Sequence, residues 1–200
     1  MAENTLRDAL VDEIRDLYNA EKQLTKALPK LAKAACSDEL REALEAHLVE
    51  TQGQVTRLER VFELLDEKPR GKHCAGIAGI IEEGGEMLKE DFDGPVMDAV
   101  IIASGQRAEH YEIAAYGTVV AWAEALGLTE VAEVLTETLD EEKAADGKLS
   151  ALAEAGINEA ATAEASDEAD ADDEDEATIG TTEPARVGAL ARSAKRRAKE

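Results

Sequence analysis

The chain has 200 residues, only 3% of them aromatic, and a formal charge of −23. Its length allows one domain, or one domain with a tail, and its Ala, Leu and Glu content favours packed helices over a sheet. So negative a surface repels phosphates, which argues against duplex nucleic acid as a partner of the folded part. The N-terminal MAENTLRDAL lacks a basic-then-apolar leader, and no apolar run reaches the roughly 18 residues of a membrane span. The expectation is a cytoplasmic protein with Cys36 and Cys74 as reduced thiols.

The first predicted helix starts at Thr5, an N-cap with Asp8 three residues on, and runs to about Ala35. Its apolar seam is Leu10, Ile14, Leu17, then Leu24, Leu28 and Leu31, and the position between the two groups holds Glu21. A carboxylate in the middle of a buried stripe needs a reason.

Ser37 caps the second helix, Asp38 and Glu39 occupy its positive first turn, and it continues to about Leu65. Its seam reads Leu40, Leu44, His47, Thr51 or Glu50, Gln54, Leu58, Val61, Leu65. His47, Glu50 and Gln54 therefore interrupt an apolar stripe with a polar patch at steps of three and four. The segment DEKPRGKHCAGIAGIIEEGGEMLKEDFDGP follows. It is too long for a turn, and Ile77, Ile80, Ile81 and Met87 predict a short extra helix lying over the other elements.

The third long helix follows Asp93-Gly94-Pro95, with proline at a first-turn position, and ends before Gly127. Its seam of Ala99, Ile102, Gln106, Glu109, Ile113, Tyr116 and Val120 again contains a glutamate, with His110 beside it. The fourth begins after Thr129 and closes before Gly156. Its seam is Val131, Leu135, Thr138, Glu142, Ala145 or Asp146, Leu149 and Leu152. Helices this long span roughly 40 Å at about 1.5 Å per residue. Short links make each consecutive pair an antiparallel hairpin, and two hairpins joined by one long crossover form a ferritin-like, all-α four-helix bundle.

The bundle is expected to occupy residues 1–158. Residues 159–183 hold eleven acids and no Lys or Arg, a composition that predicts a disordered acidic linker. Residues 184–200 reverse the sign with Arg186, Arg192, Lys195, Arg196, Arg197 and Lys199. This basic C-terminal tail is a candidate grip for an acidic partner, nucleic acid or the bundle itself; the competing expectation is a solvated tail with no fixed partner.

Each long helix thus points a carboxylate inward near its middle, and the duplication AEKQ at 20–23 and AEHY at 108–111 relates the two hairpins. An ionised carboxylate loses several kcal/mol on burial even after relaxation, and several together also repel. They are either protonated, hydrogen-bonded to Tyr18, Gln54, Gln106 and the histidines, or neutralised by cations. Two divalent ions supply four positive charges against four glutamates. Carboxylate oxygen with imidazole nitrogen suits iron or manganese, and the lack of a cysteine cluster disfavours thiolate zinc. No Gly-rich phosphate loop or nucleophile elbow is present, so no catalytic residue is assigned.

The segments DEIRDLYNAEKQLTKALPKLAKAA, HLVETQGQVTRLERVFELLDEKPRGK, AEHYEIAAYGT and TLDEEKAADGKL resemble the YciE/YciF-type ferritin-like stress proteins, in order and over residues 5–156. The resemblance implies a dimer, a dinuclear metal site with two iron or manganese ions, and a role in oxidative or general stress. Carried onto this chain it points to Glu21, Glu50, Glu109 and Glu142 as ligands, then His47 and Asp146, and last His110 and Glu112. The chain departs from the wider ferritin-like Glu-x-x-His pattern: Glu50 has Gly53 at that spacing and Glu142 has Ala145.

Two functions compete. One is a di-metal carboxylate protein of ferroxidase or peroxide-consuming type, with Tyr18, Tyr111 or Tyr116 as hydrogen-bond or electron donors. The other is a non-catalytic stress or adaptor bundle whose polar layer is a relict. Either is compatible with a tail whose VGALARSAKRR loosely resembles the peptides that direct cargo into encapsulin shells. Val11, Leu48 and Val119, flanking the seams, are the expected dimer surface, and Trp122 a packing or dimer contact.

Overall fold

The computed structural model describes residues 5–163. Five α-helices account for most of them: α1 (Leu6–Ala34), α2 (Asp38–Leu64), α3 (Ala75–Met87), α4 (Gly94–Ala125) and α5 (Thr129–Leu152). The four long ones form a ferritin-like bundle in which α1 packs on α2 and α4, and α5 packs on α4 and α2. α3, the short helix of the crossover, lies over α1 and α4.

Local chemistry sets the helix ends. Thr5 Oγ1 accepts from the Asp8 amide at 3.2 Å while the Thr5 amide donates to Asp8 Oδ2 at 2.9 Å, a reciprocal capping box. Ser37 Oγ accepts from the Leu40 amide and opens α2. Pro95 sits in the first turn of α4, where its missing N–H costs nothing. Gly127, at φ 70°, takes the left-handed conformation that ends α4.

Direction is fixed by Asp98, buried near the start of α4. Its two carboxylate oxygens accept from the backbone amides of Cys36 and Ser37 at 2.7 and 2.8 Å. α4 therefore begins where α1 ends, and the crossover travels the length of the bundle. Gly76 and Gly84 let α3 lie close: a side chain at either would collide with the Tyr111 ring or with Ser104 Oγ.

Helical structure does not stop at Gly156, as the sequence led us to expect. A wider turn over Ala153–Ile157 absorbs Gly156 at φ 149°, and helical turns resume through residue 163. The rest of the acidic segment and the basic 184–200 segment lie outside the described residues.

Two apolar clusters fill opposite ends of the bundle. One contains Leu10, Ile14, Leu58, Phe62, Val131 and Leu135; the other contains Leu28, Leu40, Leu44, Ile101 and Leu149. A third, with Leu24, Cys74, Ile77 and Ala108, lies beneath α3. Val11 and Val119 are buried in the first of these, so they are core residues and not the dimer surface expected for them; Trp122 packs partly against the same cluster. Among the described residues no helix is long and apolar enough to cross a membrane.

Candidate metal centre

Between the two end clusters the interior turns polar. Glu21 from α1, His47, Thr51 and Gln54 from α2, Glu109 and Glu112 from α4, and Thr138 and Glu142 from α5 are all buried. The helical repeat explains the convergence: each residue occupies a core-facing position halfway along its helix, so the antiparallel hairpins bring them to one depth.

His47 is the hub. Its Nε2 faces Glu109 Oε1 at 3.3 Å and Glu142 Oε2 at 3.8 Å, and its Nδ1 faces Glu50 Oε2 at 3.2 Å. One ligand atom from each of His47, Glu109, Glu112 and Glu142 lies within 4.8 Å of every other, a set able to hold one metal ion. Glu21 adjoins this quartet. Tyr116 donates its hydroxyl to Glu21 Oε1 at 2.5 Å, and Glu142 is the charge that acts most strongly on Glu21.

The carboxylates are under strong electrostatic strain. Burial, reinforced by the Glu142 charge, pushes Glu109 up to about 10. Burial and then Glu142 raise Glu21 far above the carboxylate range, and burial and then Glu21 do the same to Glu112. Glu142 is also raised by burial, with the His47 imidazole acting against it. Among the described residues, Glu21 Oε2, Glu109 Oε2 and both oxygens of Glu112 and Glu142 find no hydrogen-bond partner. Six buried acceptor oxygens without donors are costly as carboxylates and well matched to cations. The donor set, oxygens with one imidazole nitrogen, fits a divalent ion of the iron or manganese kind.

Other candidates lie outside this quartet. Glu50 is half exposed, its side chain 48% accessible, and touches the site only through His47. Thr51 takes the inward position, its hydroxyl donating to the His47 carbonyl at 2.8 Å. His110, 70% accessible, pairs at 3.3 Å with Asp146 on the rim between α4 and α5. Of the expected donors, Tyr18 donates to Glu59 and Gln54 to Glu141, while Gln106 donates to Ser150 at 2.8 Å and to the rim acid Asp146 at 3.4 Å. Tyr116 alone of the three tyrosines reaches a buried acid of this layer; Tyr111 donates to Asp16 and lies 3.1 Å from the buried Cys74 Sγ.

The Tyr116–Glu21 bond and the depth of Glu112 are what residue-by-residue reading missed. The signal was present as Glu109-x-x-Glu112 followed by Tyr116 one turn later, a single face of α4.

A family model described as a domain of unknown function, DUF892, matches residues 5–162. Protein YciF of Escherichia coli strain K12 is 44% identical over 158 residues, which cover 78% of this chain and 95% of that protein. The crystal structure of the E. coli stress protein YciF matches with a TM-score of 0.75 at 44% identity, over 78% of this chain and 99% of that one. YcfI from Rhodopseudomonas palustris matches with a TM-score of 0.73 at 47% identity, over 75% and 97%.

Proposed function

Since the chain belongs to the DUF892 family together with YciF, we propose that its polar layer binds two iron or manganese ions and that the protein serves cells under oxidative or general stress. The observation that carries the metal reading is the set of six buried carboxylate oxygens without donors around one imidazole. The stress reading is supported by a relative described as a stress protein.

In this reading His47, Glu109, Glu112 and Glu142 hold one ion, and Glu21 with Glu142 adjoins the second. Nε2 of His47 is the ligand nitrogen and Nδ1–H donates to Glu50, so Glu50 orients the ring and fixes its tautomer. Tyr116 holds Glu21 in place and offers a phenol next to the acids. Asp146 and His110 then belong to the rim. Bound redox-active ions would supply one-electron chemistry towards oxygen or peroxide. What the chain itself contributes is a buried cluster of carboxyl groups with a single imidazole.

Metal analysis of protein purified without chelator, with anomalous scattering at the iron and manganese edges, tests this directly. Two anomalous peaks among these side chains are expected; protein free of metal after exposure to both ions overturns the reading. The strongest rival is a relict layer whose acids stay protonated, favoured by the raised carboxyls and by Gly53 and Ala145 at the spacing where a histidine would stand. Under that rival, added metal leaves the melting temperature where it was. The chain also pairs into a dimer in our reading, a state that sedimentation measures.

A further inference from the structure

Two mostly apolar cavities reach His47 and Glu109 from different directions, and they differ in how much charge stands on their walls. One, of about 100 Å³, opens between α2 and α5; Ala43, Leu44, Ala144, Ala145 and Leu149 make most of its wall, and Glu50 and Lys148 add charge to it. The other, of about 80 Å³, lies beneath α3, with Leu24, Leu28, Ile80, Ile81 and Ala108 around it and Glu112 at its inner end.

A charged species entering the first cavity meets the Glu50 carboxylate and the Lys148 ammonium among its aliphatic side chains. Along the second it meets aliphatic carbon, and leaving water for such a wall is strongly unfavourable. Polar side chains are not wholly lacking there: Ser104 and the exposed Lys30 also border the space. Cavities lined by aliphatic side chains stay dry and accept small apolar molecules; a space of about 150 Å³ takes benzene or xenon. The smaller volume beneath α3 suits a diatomic gas better than a ring or an acyl chain. Peroxide, which needs several hydrogen-bond partners, is poorly served by the same wall.

We propose that the cavity beneath α3 takes up a small apolar molecule, dioxygen by class, and delivers it to the buried acids, while charged species approach between α2 and α5. Delivery rests on the metal reading given above; uptake does not.

Crystals of the metal-free full chain pressurised with xenon test uptake. A xenon peak is expected between Leu24, Ile81 and Ala108. Ala108→Leu, which fills the space, should lower its occupancy at least about fivefold. Ile81→Trp, at the partly exposed edge, supplies a second block in case the first disturbs packing. In solution, dissolved dioxygen should broaden the methyl signals of Leu24, Ile80 and Ile81 more than those of the exposed Val49. Ordered water in place of xenon, or equal broadening at Val49, overturns uptake. Delivery is tested on metal-loaded protein, where Ala108→Leu should slow dioxygen consumption about tenfold and leave peroxide consumption near wild type. Equal slowing of both, or of neither, overturns delivery. Protein that takes no metal would sink the reading above and leave the xenon result standing.

Discussion

Tyr116 and Glu112 lie one turn apart on α4 and face the same interior, yet they belong to regions built on opposite rules. The ring of Tyr116 packs with Leu10, Ile14, Phe62 and Leu135 in a cluster held by apolar burial. Glu112 lies among Glu21, Glu109 and Glu142, where burial opposes every charge present. The first region is stable by itself. The second is stable only with protons or cations in it, so its stability depends on solution conditions in a way the first does not.

The largest expected effect breaks the apolar side. Phe62 is fully buried and meets Tyr18 edge-on with ring centroids 5.6 Å apart. Phe62→Ala should cost about 3–5 kcal/mol, with the same loss measured by denaturant unfolding whether or not metal is present. Loss that varied with metal would mean that the two regions are not separate.

The next effect has the opposite sign. Glu109 keeps its proton in the folded protein up to about pH 10, whereas the unfolded chain releases it near 4.5. At pH 7 that difference opposes folding by about 3–4 kcal/mol, so Glu109→Gln should stabilise the metal-free protein by up to a similar amount and abolish any metal-induced rise in melting temperature. A destabilised Glu109→Gln protein would show that the acid is ionised and already paired.

The same linkage sets a pH dependence. Each raised carboxyl binds a proton in the fold that the unfolded chain has lost, so stability falls as pH climbs from the ordinary carboxylate range towards the folded-state value. Metal-free protein should therefore melt lower at about pH 9 than at about pH 5, a slope that Phe62→Ala leaves unchanged. Metal reverses the trend, because ligand carboxylates must be deprotonated to bind.

The contrast between regions also explains what the sequence revealed. On α2 and α5 the inward stripe stands against exposed charged positions, and the expected seams Leu40, Leu44, His47, Gln54, Leu58 and Val131, Leu135, Thr138, Glu142 are the buried ones. α4 gave a weaker phase. It packs on α1, α3 and α5, so apolar residues occupy most of its circumference and no side stands out. The expected Gln106, Ile113 and Val120 are only partly buried, and Gly105, Ala108, Glu112 and Val119 take the inner face. Glu109 and Tyr116 belong to both stripes. Glu112 entered the candidate set through family resemblance, although the shared face of Glu109, Glu112 and Tyr116 was there to read; that Tyr116 bonds Glu21, on a distant helix, leaves no local pattern.

The smallest expected effect tests the boundary between the buried layer and the rim. Glu50 is half exposed and bonds Nδ1 of His47, leaving Nε2 towards Glu109 and Glu142. If Glu50 were itself a ligand, Glu50→Gln would remove a charge from the metal's coordination sphere, whereas Glu50→Ala would remove the donor altogether. If it orients the ring, Glu50→Gln keeps an amide oxygen as acceptor for Nδ1–H and should weaken metal binding by about tenfold or less, while Glu50→Ala falls towards the hundredfold end of such effects. The metal-free melting temperature should hardly move in either variant, because an exposed ion pair contributes little to folding. Titration calorimetry with manganese on both variants separates the two roles, since a loss well beyond tenfold in Glu50→Gln would place Glu50 on the metal and a loss of about tenfold or less places it behind the imidazole.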